Sequence, residues 1–128
     1  MAKQDTRHET HRLDPGKGGA EDFIAVRLNS LALIVLYAWL LTAIVLLLPD
    51  LSHRAVTGWL RHPLNALLMV LLIGLTFWHV KYGLNELIDD YVHAPVARIA
   101  SLATMHTLTW TGALFALISL ARIVLVPA

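Results

Sequence analysis

Leu28-Asn29-Ser30-Leu31-Ala32-Leu33-Ile34-Val35-Leu36-Tyr37-Ala38-Trp39-Leu40-Leu41-Thr42-Ala43-Ile44-Val45-Leu46-Leu47-Leu48 decides the fold, because these 21 consecutive residues carry no formal charge. At 1.5 Å of rise per residue, a helix of that length covers the roughly 30 Å of hydrocarbon in a bilayer. Two later runs ask for the same reading. Residues 64–78 are uncharged but short, and they reach spanning length only if the helix continues through His79 to Ile88, which Gly83 does not by itself prevent. Residues 99–120 are 22 uncharged positions behind an Ala94-Pro95 pair that opens a helix. The expected fold is an all-α integral membrane protein with three transmembrane helices over about residues 28–48, 64–88 and 97–120.

Composition agrees. Of 128 residues 57% are hydrophobic and 15% charged, too apolar for an ordinary soluble domain of this size. One membrane domain is expected over residues 21–128, behind a polar tail at 1–20. That tail, with Asp14-Pro15-Gly16-Lys17-Gly18-Gly19, holds too little apolar surface to offset its ordering entropy and is expected to be mobile. Glu21-Asp22-Phe23-Ile24-Ala25-Val26-Arg27 leads into the first span, its acids placed where a helix dipole favours them. The first run is too long for the core of a secretory signal peptide and is expected to stay in the membrane.

Charge sets an orientation. Lys3, Arg7, Arg12, Lys17 and Arg27, five of the ten basic residues, precede the first run, a pattern that reads as topology rather than nucleic-acid binding. With the amino terminus cytoplasmic, these five plus Lys81 and Arg98 make seven basic residues inside, against Arg54, Arg61 and Arg122 outside. The expectation is amino terminus in, carboxyl terminus out. There is no cysteine, so disulfides, thiolate zinc and iron–sulfur ligation by this chain are excluded, and a redox cofactor depends on histidine or another chain. No internal repeat suggests the inverted halves of a transporter.

The chemistry-bearing stretch is Trp78-His79-Val80-Lys81-Tyr82-Gly83-Leu84-Asn85-Glu86-Leu87-Ile88-Asp89-Asp90-Tyr91. A histidine inside a span is costly and is by default a candidate for function. Neutral imidazole ligates haem iron without carrying a charge into the bilayer. Gly83, four residues on and on the same helix face, lets a flat macrocycle or another helix approach the backbone. The plain alternative is a packing histidine beside a small-residue helix contact. His106 competes as a ligand but, among Thr104, Thr107 and Thr109, reads more simply as packing, and His53 and His62 read as surface residues.

Asp89 and Asp90 sit at a helix carboxyl end, where each opposes the dipole by roughly 0.3–1 kcal/mol. Arg98 is a candidate structural partner, and a solvated acidic turn is the alternative. Tyr91, at the expected membrane surface, is either an interfacial anchor or, beside a carboxylate, a hydrogen-bond donor with a proton path to water. Reduction of a membrane quinone needs such a group, because two protons accompany two electrons and the carbonyl oxygens must be polarised.

His79, three residues, Gly83, six residues and Asp90-Tyr91, together with the lead-in Asp22-Phe23-Ile24-Ala25-Val26-Arg27, resemble the small D-type cytochrome b membrane anchor of succinate dehydrogenase, respiratory complex II. The resemblance covers about residues 21–122 and has three spans in the same order. It implies His79 as an axial ligand of haem b, Tyr91 as donor to a ubiquinone carbonyl and Asp90 as its neighbour in proton delivery. Arg27 and Asp22 match the lead-in motif, with docking near the iron–sulfur subunit as the inferred role. It implies a second cytochrome b anchor subunit that shares the haem, an iron–sulfur subunit and a flavoprotein, assembled in a bacterial inner membrane. The chain itself would be a non-catalytic anchor of the enzyme complex. Lys81, roughly 200° around the helix from His79, should face away from the haem. The alternatives are an anchor of a fumarate reductase or another haem b quinone oxidoreductase, and a non-redox assembly or scaffold subunit in which His79 and His106 only pack.

Overall fold

The computed structural model describes residues 18–47 and 50–126, all helix, turn or short connection. Helix α1 spans Gly18–Thr42 and runs into a π-helical segment, Ala43–Leu47. A short α2, His53–Leu60, precedes the two longest helices, α3 at Pro63–Tyr91 and α4 at Pro95–Leu125. α1 with its π-helical extension, α3 and α4 are each long and apolar enough to cross a membrane. The fold is therefore all-α with three membrane-length helices. Of the expected tail at 1–20, residues 1–17 lie outside the described part, and Gly18–Ala20 already belong to α1.

Each boundary has a local cause. Glu21 lies in the first turn of α1, where the helix dipole favours a negative charge. Pro63 and Pro95 open α3 and α4 at positions where the missing N–H costs nothing. Ser52 caps α2, its hydroxyl accepting from the Ala55 N–H at 3.3 Å. Because α3 is continuous over 29 residues, it is about 43 Å long, enough to reach both headgroup layers. His79 then lies within about one turn of its midpoint, and Pro63 and Tyr91 at its two ends.

α3 is the central element: it packs on α1 and, more extensively, on α4, while α1 and α4 make no contact with each other among the described residues. Between α1 and α3 the core is Leu33, Leu36 and Leu72, backed by Leu40, Leu68, Met69 and Leu75. Tyr37 and Thr76 share a 2.8 Å hydroxyl hydrogen bond across the same seam. On the other side Gly112 lets α4 close on α3, since a β-carbon there would stand 3.0 Å from the Phe77 ring. Buried apolar residues are few, and large side chains such as Val35 and Phe115 are 68% and 74% exposed. Lipid supplies no hydrophobic drive to bury them, so these faces meet lipid or other subunits.

At the end where α3 begins, α2 fastens the bundle. Trp59 stacks on Trp39 of α1 with ring centroids 5.3 Å apart. Arg61 donates through Nε to the Ile123 carbonyl at 3.1 Å and through Nη2 to the Val126 carbonyl at 3.0 Å. The Ile123 carbonyl belongs to the last turn of α4 and the Val126 carbonyl to its C-cap, where carbonyls lack partners within the helix. Residues 50–62, the connection between the first two membrane-length helices, thus contain a helix held by specific contacts.

Candidate functional site

His79 is exposed and lines an open cleft of about 580 Å³ between the start of α1 and the second half of α3. Asp22, Phe23 and Val26 form its α1 wall, and His79, Tyr82, Gly83 and Glu86 its α3 wall. At 100° per residue, Gly83 lies about 40° from His79 and Glu86 about 20°, so one helix face presents all three. Asp90, eleven residues from His79, returns to within about 20° of the same line, which places it further along the stripe towards the helix end.

Nothing lies within 4 Å of the place a Gly83 β-carbon would occupy. Packing among the described residues therefore does not require glycine there, in contrast to Gly112. The His79 imidazole turns Nδ1 towards α1, where Asn29 Nδ2 stands 3.5 Å away. Asn29 is 6% exposed, and its Nδ2 also lies 3.5 Å from the Leu75 carbonyl. With Nδ1 directed inward and the ring exposed, Nε2 is the nitrogen left for an incoming group.

Lys81 is half-buried on the opposite side of α3, with Nζ 5.9 Å from the centroid of the Trp110 ring of α4. It stays out of the cleft, as its angle around the helix required. His106 is half-buried on α4 and does not line the cleft of His79. The neighbouring Thr104 and Thr107 hydroxyls donate to the carbonyls of Ala100 and Ala103 in their own helix, each at 2.8 Å, so neither hydroxyl is directed at His106. His53 and His62 are exposed. No group of three or more His, Asp or Glu side chains suited to a metal ion occurs among the described residues.

Asp89 and Asp90 part company. Asp89 accepts from Arg98 Nη2 across the α3–α4 turn, with both side chains about half exposed. Asp90 is exposed and makes no ion pair among the described residues. Tyr91, the last residue of α3, is 77% exposed and does not line the cleft. Twelve helical residues separate it from His79, about 18 Å. The structure thus holds His79 and Gly83 together and sets Asp90 and Tyr91 apart from them at the helix end.

Residues 6–121 match the family described as the succinate dehydrogenase/fumarate reductase transmembrane subunit. The chain belongs to that family. No curated protein and no solved structure matches. Succinate dehydrogenase/fumarate reductase transmembrane subunits anchor a quinone-linked oxidoreductase of several subunits, and this chain is an integral membrane protein of that kind.

Two residues at the site, Asn29 and Tyr82, were not among those expected from sequence. Asn29 is a single amide in a charge-free run, although an amide there needs a partner and that need was a usable signal. Tyr82 follows His79 by three residues and shares its helix face, a relation that spacing alone could have revealed.

Proposed function

We propose that the chain is the D-type cytochrome b anchor of a succinate:quinone oxidoreductase in a bacterial inner membrane, with its amino terminus cytoplasmic and its carboxyl terminus outside. One observation carries this reading: His79 presents an exposed imidazole beside a glycine whose side-chain position is open, in a cleft near the middle of a membrane-length helix. Those residues fit one side of a haem b. His79 would hold the iron through Nε2, and Gly83 would give the macrocycle room. A second anchor subunit would supply the other axial ligand. Asp22 and Glu86 make the same cleft acidic, so cations for the porphyrin carboxylates belong elsewhere. When bound, the haem stores and passes single electrons.

The quinone chemistry would fall to the end of α3. Tyr91 donates its phenolic hydrogen bond to a ubiquinone carbonyl oxygen, which becomes more basic as electrons arrive. Asp90, the preceding residue and exposed to interfacial water, takes up and passes on protons. Two electrons from succinate, delivered through the flavoprotein and the iron–sulfur subunit, and two protons from water give one quinol. Asp22 and Arg27 at the start of α1 lie at the same end of the bundle and would dock near the iron–sulfur subunit. The family also covers quinol oxidation coupled to fumarate reduction, which uses the same site in reverse.

The test is the complex purified through this chain. A b-type spectrum with co-purifying flavin and iron–sulfur subunits is expected, and His79→Ala should alter or abolish the haem band. A colourless preparation without those subunits makes the chain a non-redox scaffold and overturns the proposal. Tyr91→Phe should impair succinate:quinone turnover while succinate oxidation by an artificial acceptor persists, and unimpaired quinone turnover removes Tyr91 from the site.

A further inference from the structure

Among the described residues, Asn29 Oδ1 is buried without a hydrogen-bond partner, in the residue that faces His79. An amide in this position costs about 1–3 kcal/mol for each group left unpaired, so a sequence that keeps one inside a lipid-embedded helix needs a reason. Ser30, next to it, donates its hydroxyl to the Val26 carbonyl of its own helix at 2.9 Å. Asn29 instead reaches across to α3, where its polar contacts are the Leu75 carbonyl and His79 Nδ1.

The imidazole has two neutral tautomers, and the group opposite Nδ1 selects between them. If Asn29 donates from Nδ2, Nδ1 is bare and the ring proton sits on Nε2, which then cannot ligate a metal. If the amide is turned by about half a rotation, Oδ1 takes the place of Nδ2 and accepts from Nδ1–H. Nε2 then carries a lone pair and is a ligand. The Leu75 carbonyl, whose contact is surrendered, already accepts the α-helical hydrogen bond four residues on.

We infer that Asn29 is the positioning residue of His79: its amide oxygen holds Nδ1–H, fixes the tautomer that leaves Nε2 free, and tunes the imidazole's basicity. The inference rests on the reading of His79 as a haem ligand. Residues that hold the second nitrogen of a ligating histidine set ring orientation and ligand strength, and thereby the electronic state of the metal. Asn29 does this from a different helix, 50 residues away in sequence, so the α1–α3 seam becomes part of the redox tuning.

The test uses the assembled complex with Asn29→Asp, Asn29→Leu and Asn29→Thr, read by haem content, haem midpoint potential and the low-spin electron paramagnetic resonance signal. Asp strengthens the acceptor and favours ferric iron, so the potential should fall. Leu removes the acceptor, so the potential should rise and the resonance position shift. Thr keeps an acceptor oxygen and should stay between Leu and the parent. Should Leu and Asp both leave potential and resonance at the parent values while His79→Ala removes the haem, the positioning role is overturned and the ligand assignment stands. Should His79→Ala leave the haem unchanged, the ligand assignment fails and takes this inference with it. If Asn29→Leu does not assemble, the opposite movements expected for Asp and Thr decide.

Discussion

Gly83 and Gly112 are both glycines of membrane-length helices, yet their surroundings differ in kind. A β-carbon at 112 meets the Phe77 ring at 3.0 Å, while one at 83 meets nothing within 4 Å. Gly112→Ala should therefore force α3 and α4 slightly apart at a cost of about 1 kcal/mol. That would lower the thermal midpoint of the purified complex and leave haem per folded complex unchanged. For Gly83→Ala the expected order is reversed: unchanged helicity and folding of the chain, with reduced haem occupancy. Equal haem content in Gly83→Ala and parent complexes would remove the cofactor from that face. His79, Gly83, Asp90 and Tyr91 stand out in the sequence because each breaks the apolar rule of a span or its end. Their division into two places was partly readable too, since helical rise fixes the distance from His79 to Tyr91. Which of Asp89 and Asp90 would be paired was not, because both lie within reach of Arg98 in sequence and only the turn geometry selects Asp89.

Spans were legible from uncharged length and the start of α4 from Ala94-Pro95, but the other helix ends and the irregularities were not. α1 begins ten residues before the apolar run because Glu21 and Asp22 suit a first turn and the chain has no breaker between Ala20 and Pro49. The π-helical segment at Ala43–Leu47 has no marker in a run of aliphatic residues. α2 is eight residues long, too short for periodicity to declare itself, and is held by tertiary contacts through Trp59 and Arg61. Arg61 is exposed but makes two charge-assisted bonds, to the last turn of α4 and to its C-cap. Solvent and headgroups compete for such a group, so Arg61→Ala should cost on the order of 1 kcal/mol. The loss should appear as faster proteolysis near the end of α4 and a lowered thermal midpoint, with the haem spectrum unmoved because His79 lies at mid-helix. A Lys replacement keeps the charge but loses the two-pronged donor and should recover only part of the stability.

Across the whole molecule, three crossings with α3 between α1 and α4 put the α1 start, the α3–α4 turn and Tyr91 at one end of the bundle. The π-helical segment, α2 and the end of α4 lie at the other. Which end faces the cytoplasm decides whether Asp90 and Tyr91 can serve a quinone site beneath a cytoplasmic dehydrogenase. The basic residues, seven against three, favour that end inside. The absence of cysteine makes the question direct, because a single introduced thiol is the sole reactive one in the chain. Ser52→Cys, in the exposed connection before α2, and His93→Cys, in the exposed turn after Tyr91, place that thiol at opposite ends. In intact cells a membrane-impermeant maleimide should label the thiol at position 52 and spare the one at position 93, and inverted vesicles should reverse the pattern. Labelling of position 93 from outside would invert the chain, move Tyr91 to the far side of the membrane and separate it from any cytoplasmic electron donor. The haem assignment at mid-helix would survive that result, since His79 is near the centre of α3 from either side, whereas the roles proposed for Asp90 and Tyr91 would not.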